Sequence, residues 1–289
     1  MLRVALAMAV FLAAPLTLGG CNQDQNESIR LMNKGIGYYK RDRIPEAIEA
    51  FAMAGQKDPG NDRAFYYQGL LEYQVNGHLA EGQKLISRAI EINADNYEYH
   101  YHLGTALCRR EEWASAIGAL EKAIKLKPDH AESYLRLGIA LENKGLYDRA
   151  QEAYVDAIKA DPRLPEAYNA LGNLYRRFDQ MTHAAQVFRN GIENNPGFAA
   201  NFHDLGLVYQ AQKRFVDAVQ QFEKAQQLDP GNAGALFNLG MTYAANDDKQ
   251  KAISQLKIYL SRRTAAEDPI RIQIAQDMIS RLEAAANAP

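Results

Sequence analysis

The sequence predicts an all-α solenoid of seven helix-turn-helix repeats closed by a C-terminal helix, and three observations carry that prediction. Gly35, Gly69, Gly104, Gly138, Gly172, Gly206 and Gly240 are separated by 34, 35, 34, 34, 34 and 34 residues. A small residue follows each of them by 12 or 13 positions (Ala47, Gly82, Ala116, Ala150, Ala184, Ala218 and Ala252), and a large apolar one stands four further on (Phe51, Ile86, Leu120, Tyr154, Phe188, Phe222 and Leu256). Five units then close on Pro59, Pro128, Pro162, Pro196 or Pro230. A coiled coil would show a seven-residue period, and the recurring Asp-Pro and Pro-Gly breaks forbid one long helix.

Within the unit at residues 134–162 the pattern is Tyr134, Leu137-Gly138, Leu141, Tyr147, Ala150, Tyr154, Ala157 and Pro162. Gly138 and Ala150 are small enough to let two helices approach closely, and Tyr134, Leu137, Leu141 and Tyr154 fill the space around them. Pro162 lacks a backbone donor and ends the second helix. In period and residues the unit resembles the tetratricopeptide repeat. The resemblance implies a right-handed α-solenoid over residues 28–266, in which the first helix of each repeat lines a concave groove that takes a protein or peptide segment.

The chain opens MLRVALAMAVFLAAPLTLGGC, with a basic residue, an apolar run and small residues ahead of a cysteine. Residues 1–20 read as a secretion signal. Its apolar run at 4–18 falls short of the roughly 20 residues that span a bilayer as a helix. Leu18-Gly19-Gly20-Cys21 resembles the lipobox of bacterial lipoproteins, which implies cleavage before Cys21 and lipid, palmitate included, on that cysteine. An ordinary signal peptide with an incidental cysteine is the alternative. Residues 21–27 then comprise the lipidated cysteine and a short polar tether. Asn22 in place of Asp after the cysteine implies, by the same resemblance, an anchor in the outer membrane facing the periplasm.

The repeats depart from the pattern mainly towards the ends. Lys34 stands where later units have Leu, and Pro45 sits in the first turn of a second helix, where proline is tolerated. Repeat 2 carries one extra residue between Gly69 and Gly82. Repeat 7 has Thr264 for the closing proline and Tyr259 for the small packing residue. Residues 267–289 read as a cap and a frayed tail. Asp268-Pro269 starts a helix whose Ile270, Ile274, Met278 and Leu282 are expected to cover the last core, with Arg271, Asp277, Arg281 and Glu283 facing water.

The chain is 47% apolar and 24% charged with a net charge of −2. That suffices for a core spread along seven units and lacks the basic excess that nucleic acid requires. Two cysteines make no disulfide framework once Cys21 carries lipid, and Cys108 reads as a half-buried structural residue on a first helix. There is no phosphate-cradling glycine loop, no Cys pair at metal spacing and no His-Glu-x-x-His, so no metal, cofactor or catalytic residue is expected. His100 and His102 lie about 200° apart around a helix and do not share a metal. His203 and Asp204, being adjacent, are expected to diverge. Trp113 aligns with Tyr147 and Phe215 and reads as core.

The resemblance places Tyr66, Tyr101, Arg136, Asn169, Asn173, Arg176 and Arg177 on the exposed face of the groove, together with His203, Asp204, Phe237 and Asn238. Aromatic, Arg and Asn side chains suit recognition of a protein or peptide; an ordinary solvated face is the plainer alternative. Arg136, Arg176 and Arg177 are expected to reach one ligand, an acidic or C-terminal segment, with Glu132, Glu142 and Glu166 partly neutralising them. The expectation is a non-catalytic, membrane-anchored scaffold that binds another envelope protein. A lipid anchor ahead of a repeat array is similar to the lipoproteins that assist type IV pilus or secretin assembly. It is also similar to repeat lipoproteins that bridge peptidoglycan synthases or hydrolases. An enzyme working in the groove is the reading of another class.

Overall fold

The computed structural model describes residues 23–75, 77–262 and 268–286. These form fifteen α-helices and no strand. The first helices of the repeats are α1 (Gln23–Lys40), α3 (Asp62–Gln74), α5 (Tyr97–Arg109), α7 (Ala131–Asn143), α9 (Pro165–Arg177), α11 (Ala199–Ala211) and α13 (Ala233–Ala245). The second helices are α2 (Ile44–Lys57), α4 (Leu79–Ile92), α6 (Trp113–Leu126), α8 (Tyr147–Ala160), α10 (Met181–Asn194), α12 (Phe215–Leu228) and α14 (Lys249–Ser261), and α15 (Pro269–Ala286) follows. The chain divides into two compact units after Pro128. Unit 1 holds repeats 1 to 3; unit 2 holds repeats 4 to 7 and α15. Within each, the two helices of a repeat pack on one another, and each second helix packs on the first helix of the next repeat.

The glycine period has a direct cause in the packing. A Cβ on Gly138 would stand 2.4 Å from Cε1 of Tyr154, and one on Gly206 would stand 2.7 Å from Cε1 of Phe222. The ring four residues after the small residue of the second helix thus lies flat on the bare backbone of the first. Tyr154 and Phe222 are fully buried. Phe188, Leu205, Val208, Phe222, Leu239 and Ala252 belong to one apolar cluster that joins repeats 5, 6 and 7.

The hairpin turns repeat as faithfully. Asp42, Glu111, Gly145, Asp179, Lys213 and Asp247, each seven residues after its glycine, have left-handed backbone, and repeat 2 places Gly77 there one residue later. Six turns close with an N–H bonded to the carbonyl five residues back, as from Leu146 to Leu141 at 2.9 Å; in repeat 2, His78 reaches back six to Glu72 at 2.9 Å. The extra residue of repeat 2 therefore lies in this turn, where lengthening a loop costs little. Lys213 adopts φ 59°, a conformation its Cβ disfavours. Lys213→Gly is expected to raise stability by about 0.5–1 kcal/mol, seen as a higher denaturation midpoint; a lower one would mean the left-handed turn is not strained.

Three expectations need correction. Gln23 to Glu27, read as tether, already belong to α1, so the first repeat begins almost directly after Cys21. Trp113, Tyr147 and Phe215 are half-buried at the starts of their helices and lie outside the core. On α15 the stripe is rotated: Ile270 and Ile274 are 73% and 41% exposed, while Ile272, Ala275 and Ile279 are buried against Leu236, Phe237, Leu256 and Tyr259. Residues four apart drift by about 40° per step around a helix, so of the expected stripe only Met278 and Leu282 reach the partly buried flank. The helix start is as read, with Asp268 Oδ1 accepting from the Arg271 N–H at 3.3 Å.

One buried group is out of place chemically. Asn201 is fully buried between α10 and α9, close to Gly191 and Tyr168, and neither its Oδ1 nor its Nδ2 has a hydrogen-bond partner among the described residues. The equivalent positions in the neighbouring repeats hold Ala167 and Ala235. An unsatisfied buried amide costs about 1–3 kcal/mol, so Asn201→Ala is expected to stabilise unit 2 by about 1 kcal/mol after loss of packing. A drop in midpoint by that amount would show that the amide is satisfied.

Candidate partner-binding face

In unit 2 the first helices of repeats 5, 6 and 7 bring one polar network together around Asp204. Its Oδ2 accepts from Asn169 Nδ2 at 2.7 Å and from Asn173 Nδ2 at 2.8 Å, and its Oδ1 pairs with His203 Nδ1 at 2.9 Å. A carboxylate only accepts, so His203 carries its proton on Nδ1. Its Nε2 then accepts from Asn238 Nδ2 at 3.0 Å. Arg176 donates to Asn173 Oδ1 at 3.2 and 3.0 Å, and Gln210 Nε2 donates to Thr242 Oγ1 at 3.1 Å. The side chains of His203 and Asp204 are only 18% and 14% exposed. Burial pushes the Asp204 carboxyl up, but the hydrogen bonds from His203, Asn173 and Asn169 outweigh it and hold the group below the usual carboxylate range.

The network answers the expectation for His203 and Asp204: adjacent on α11, their side chains meet instead of diverging, because they straddle the midline of the exposed face. With Nδ1 engaged by Asp204 and Nε2 by Asn238, the imidazole has no nitrogen left to serve as a base. Among the described residues no group of three or more His, Cys, Asp or Glu is arranged to hold a metal ion.

The three arginines are not shared by one point. Arg177 is exposed and turned back to repeat 4, with Nη1 3.4 Å from Glu142 Oε1, Nη2 3.0 Å from Tyr147 Oη, and its guanidinium over the Tyr147 ring at 4.8 Å. Glu142 is itself fixed by the Tyr154 hydroxyl at 2.8 Å. Arg176 is held by Asn173. Arg136 is exposed on α7 and makes no ion pair or hydrogen bond among the described residues. Phe237, expected to be exposed, is buried beneath α15, its ring 5.4 Å from that of Tyr259.

In unit 1, Tyr66 is likewise buried, at 5% exposure, because its ring lies across the first helix of the next repeat, 4.6 Å from Tyr99. At the same position of later repeats Tyr101, Asn169 and His203 remain half-buried. Tyr101 is half-buried, edge-on to His102 at 4.8 Å. His100 and His102 take different partners, the Ala94 carbonyl at 2.8 Å and the Tyr73 hydroxyl at 3.1 Å. Cys108 is half-buried on α5. Cys21 lies outside the described residues. No described helix is long and apolar enough to cross a membrane.

The residue that sequence reasoning passed over is Asp204 as the hub. A signal was available: Asn169, Asn173, Asp204 and Asn238 all occupy exposed places of successive first helices, and reading the repeats in register would have stacked them.

Two family models described as tetratricopeptide repeat match the chain, one at residues 71–131, 101–162 and 135–197 and the other at 209–267, together well over half of it. No curated protein matches. Among solved structures, yeast Tom70 is similar with 20% identity and a TM-score of 0.62 over 90% of this chain, which spans 55% of that one. YrrB, a TPR protein with an unusual peptide-binding site, has 22% identity and a TM-score of 0.52 over 66% of this chain and 97% of its own. Pseudomonas aeruginosa pilF has 15% identity and a TM-score of 0.61 over 73% of this chain and 96% of its own. These likenesses concern the fold. With the glycine period, the paired helices and the family matches in agreement, the chain belongs to the tetratricopeptide-repeat family.

Proposed function

We propose that this protein is a non-catalytic adaptor of the bacterial envelope. In this reading it is tethered by lipid on Cys21 to the outer membrane and binds an extended segment of another protein along the first helices of repeats 5 to 7. The observation that carries the reading is the Asp204 network, in which a carboxylate and an imidazole of repeat 6 fix amide side chains of repeats 5 and 7. Asn238 spends one N–H on His203 and keeps its carbonyl and a second N–H, the pair that a peptide bond can engage. The buried negative charge at the centre favours a neutral or cationic segment over the acidic one that the arginines suggested. The peptide-binding site of YrrB supports use of this fold for peptides, and the assignment to pilus or secretin assembly rests on the resemblance of a lipid anchor ahead of a repeat array.

Two experiments test it. Cys21→Ser is expected to move the protein from the membrane pellet to the soluble fraction with its helical content intact; retention in salt-washed membranes contradicts the anchor. In affinity capture from solubilised envelopes, wild type is expected to retain a pilus or secretin subunit. Asn169→Ala with Asn238→Ala should weaken that capture at least tenfold, about 1.4 kcal/mol, in a protein that stays folded at the assay temperature although it melts somewhat lower for the two network bonds it gives up. Undiminished capture places binding elsewhere.

A further inference from the structure

The first helices of unit 1 carry a run of aromatic rings of which the reading above makes no use. Rings from repeats 2 and 3 form one continuous surface. Tyr66 is its floor, with centroids 5.1 Å from Tyr67, 4.6 Å from Tyr99 and 5.7 Å from His102, and Tyr101 stands edge-on to His102 at 4.8 Å. Tyr67, Tyr101 and His102 are half-buried and form the accessible part. The interplanar angles, 35° to 67°, make the surface corrugated instead of flat. The Tyr67 hydroxyl makes no hydrogen bond among the described residues, and burial pushes its pKa up, so it stays a neutral donor. Beside Tyr67 stands the exposed cation Arg63, while the exposed Arg109 is turned to repeat 2, where it donates to the Tyr73 carbonyl at 3.0 Å. The exposed Glu98 is the acid at the equivalent places of these two repeats, while Asp62 is turned inward to Tyr99 and Asn93, both at 2.9 Å.

We propose that this aromatic face of α3 and α5 docks a proline-containing, acidic segment of a partner protein, held as a polyproline II helix. Three physical matches support that occupant over an amphipathic helix. Pyrrolidine rings pack against the faces of tyrosines, and a chain already in this conformation loses little entropy on binding. Polyproline II has no internal hydrogen bonds, so its carbonyls are free to accept from a hydroxyl such as that of Tyr67. Its three-residue turn advances about 9 Å, a step on the order of one helix diameter. Every third residue of the ligand therefore meets the same place on the next repeat, first between Tyr66 and Tyr67, then between Tyr101 and His102. Arg63, exposed beside Tyr67 and in no ion pair among the described residues, selects an acidic residue at the positions between the prolines.

The test is fluorescence anisotropy on the full chain with a labelled nine-residue peptide of Pro-Pro-Glu repeats. Saturable binding with Kd below about 1 mM is expected, weakened at least tenfold, about 1.4 kcal/mol, by Tyr67→Ala and by the charge reversal Arg63→Glu. Arg63 is exposed, so its variant keeps the fold and reads the surface alone. A Gly-Ser-Glu peptide should bind at least tenfold more weakly than Pro-Pro-Glu, and so should Pro-Pro-Lys. Equal binding of Gly-Ser-Glu would reduce the interaction to charge and overturn the proposal. Binding unaffected by both substitutions, or none at about 1 mM, would overturn it as well.

Discussion

Phe222→Ala is expected to lower the stability of unit 2 by about 3–5 kcal/mol, the range for truncating a fully buried aromatic side chain. The ring sits on the backbone of Gly206 and belongs to the cluster joining repeats 5 to 7. In a repeat protein, stability resides largely in contacts between neighbours, so the loss should spread to the adjoining repeats instead of melting one hairpin. Gly206→Ala is also destabilising, since its methyl group would collide with that ring. The two substitutions should be non-additive: once the ring is gone, the added Cβ no longer meets it. Denaturant midpoints of the two single variants and the double variant measure this. Simple additivity would mean that Gly206 and Phe222 are not in contact.

Asp204→Ala is expected to cost about 2–3 kcal/mol at neutral pH, because Asn169, Asn173 and His203 lose a shared charged acceptor. The direction of its pKa fixes the pH dependence. Asp204 is held below its unfolded value of about 3.9, so its contribution is complete above the ordinary aspartate range and is lost as pH falls through its folded pKa. The stability difference between wild type and Asp204→Ala should shrink as pH falls below about pH 4. A difference that grows below about pH 4 would mean that burial, and not the hydrogen bonds, dominates at Asp204.

The repeat pattern was legible because only glycine lets a large side chain, ring or aliphatic, lie on bare backbone, and this leaves a mark in every repeat of the array. The face of α15 was not, because the residue buried most completely on it is Ala275, too small to stand out in a hydrophobic pattern. Tyr66 and Phe237 occupy exposed places by register yet are buried, Tyr66 against Tyr99 and Phe237 beneath α15, contacts that register alone does not show. The His203–Asp204 pair was hidden by treating adjacency on a helix as divergence, when both residues lie on the same face. The division after Pro128 left no mark: that proline closes its repeat as the other four do. Asn201 sits where other repeats have Ala, and only packing shows that its amide is stranded.

Photo-crosslinking most directly tests whether the first helices of repeats 5 to 7 hold the partner. A benzophenone side chain at Ala170, half-buried beside Asn169, would report on that face, and one at Gln220, exposed on α12, on the second helices. Irradiation in intact envelopes is expected to give an adduct to one envelope protein from position 170 and none from position 220. An adduct from position 220 alone would contradict the account.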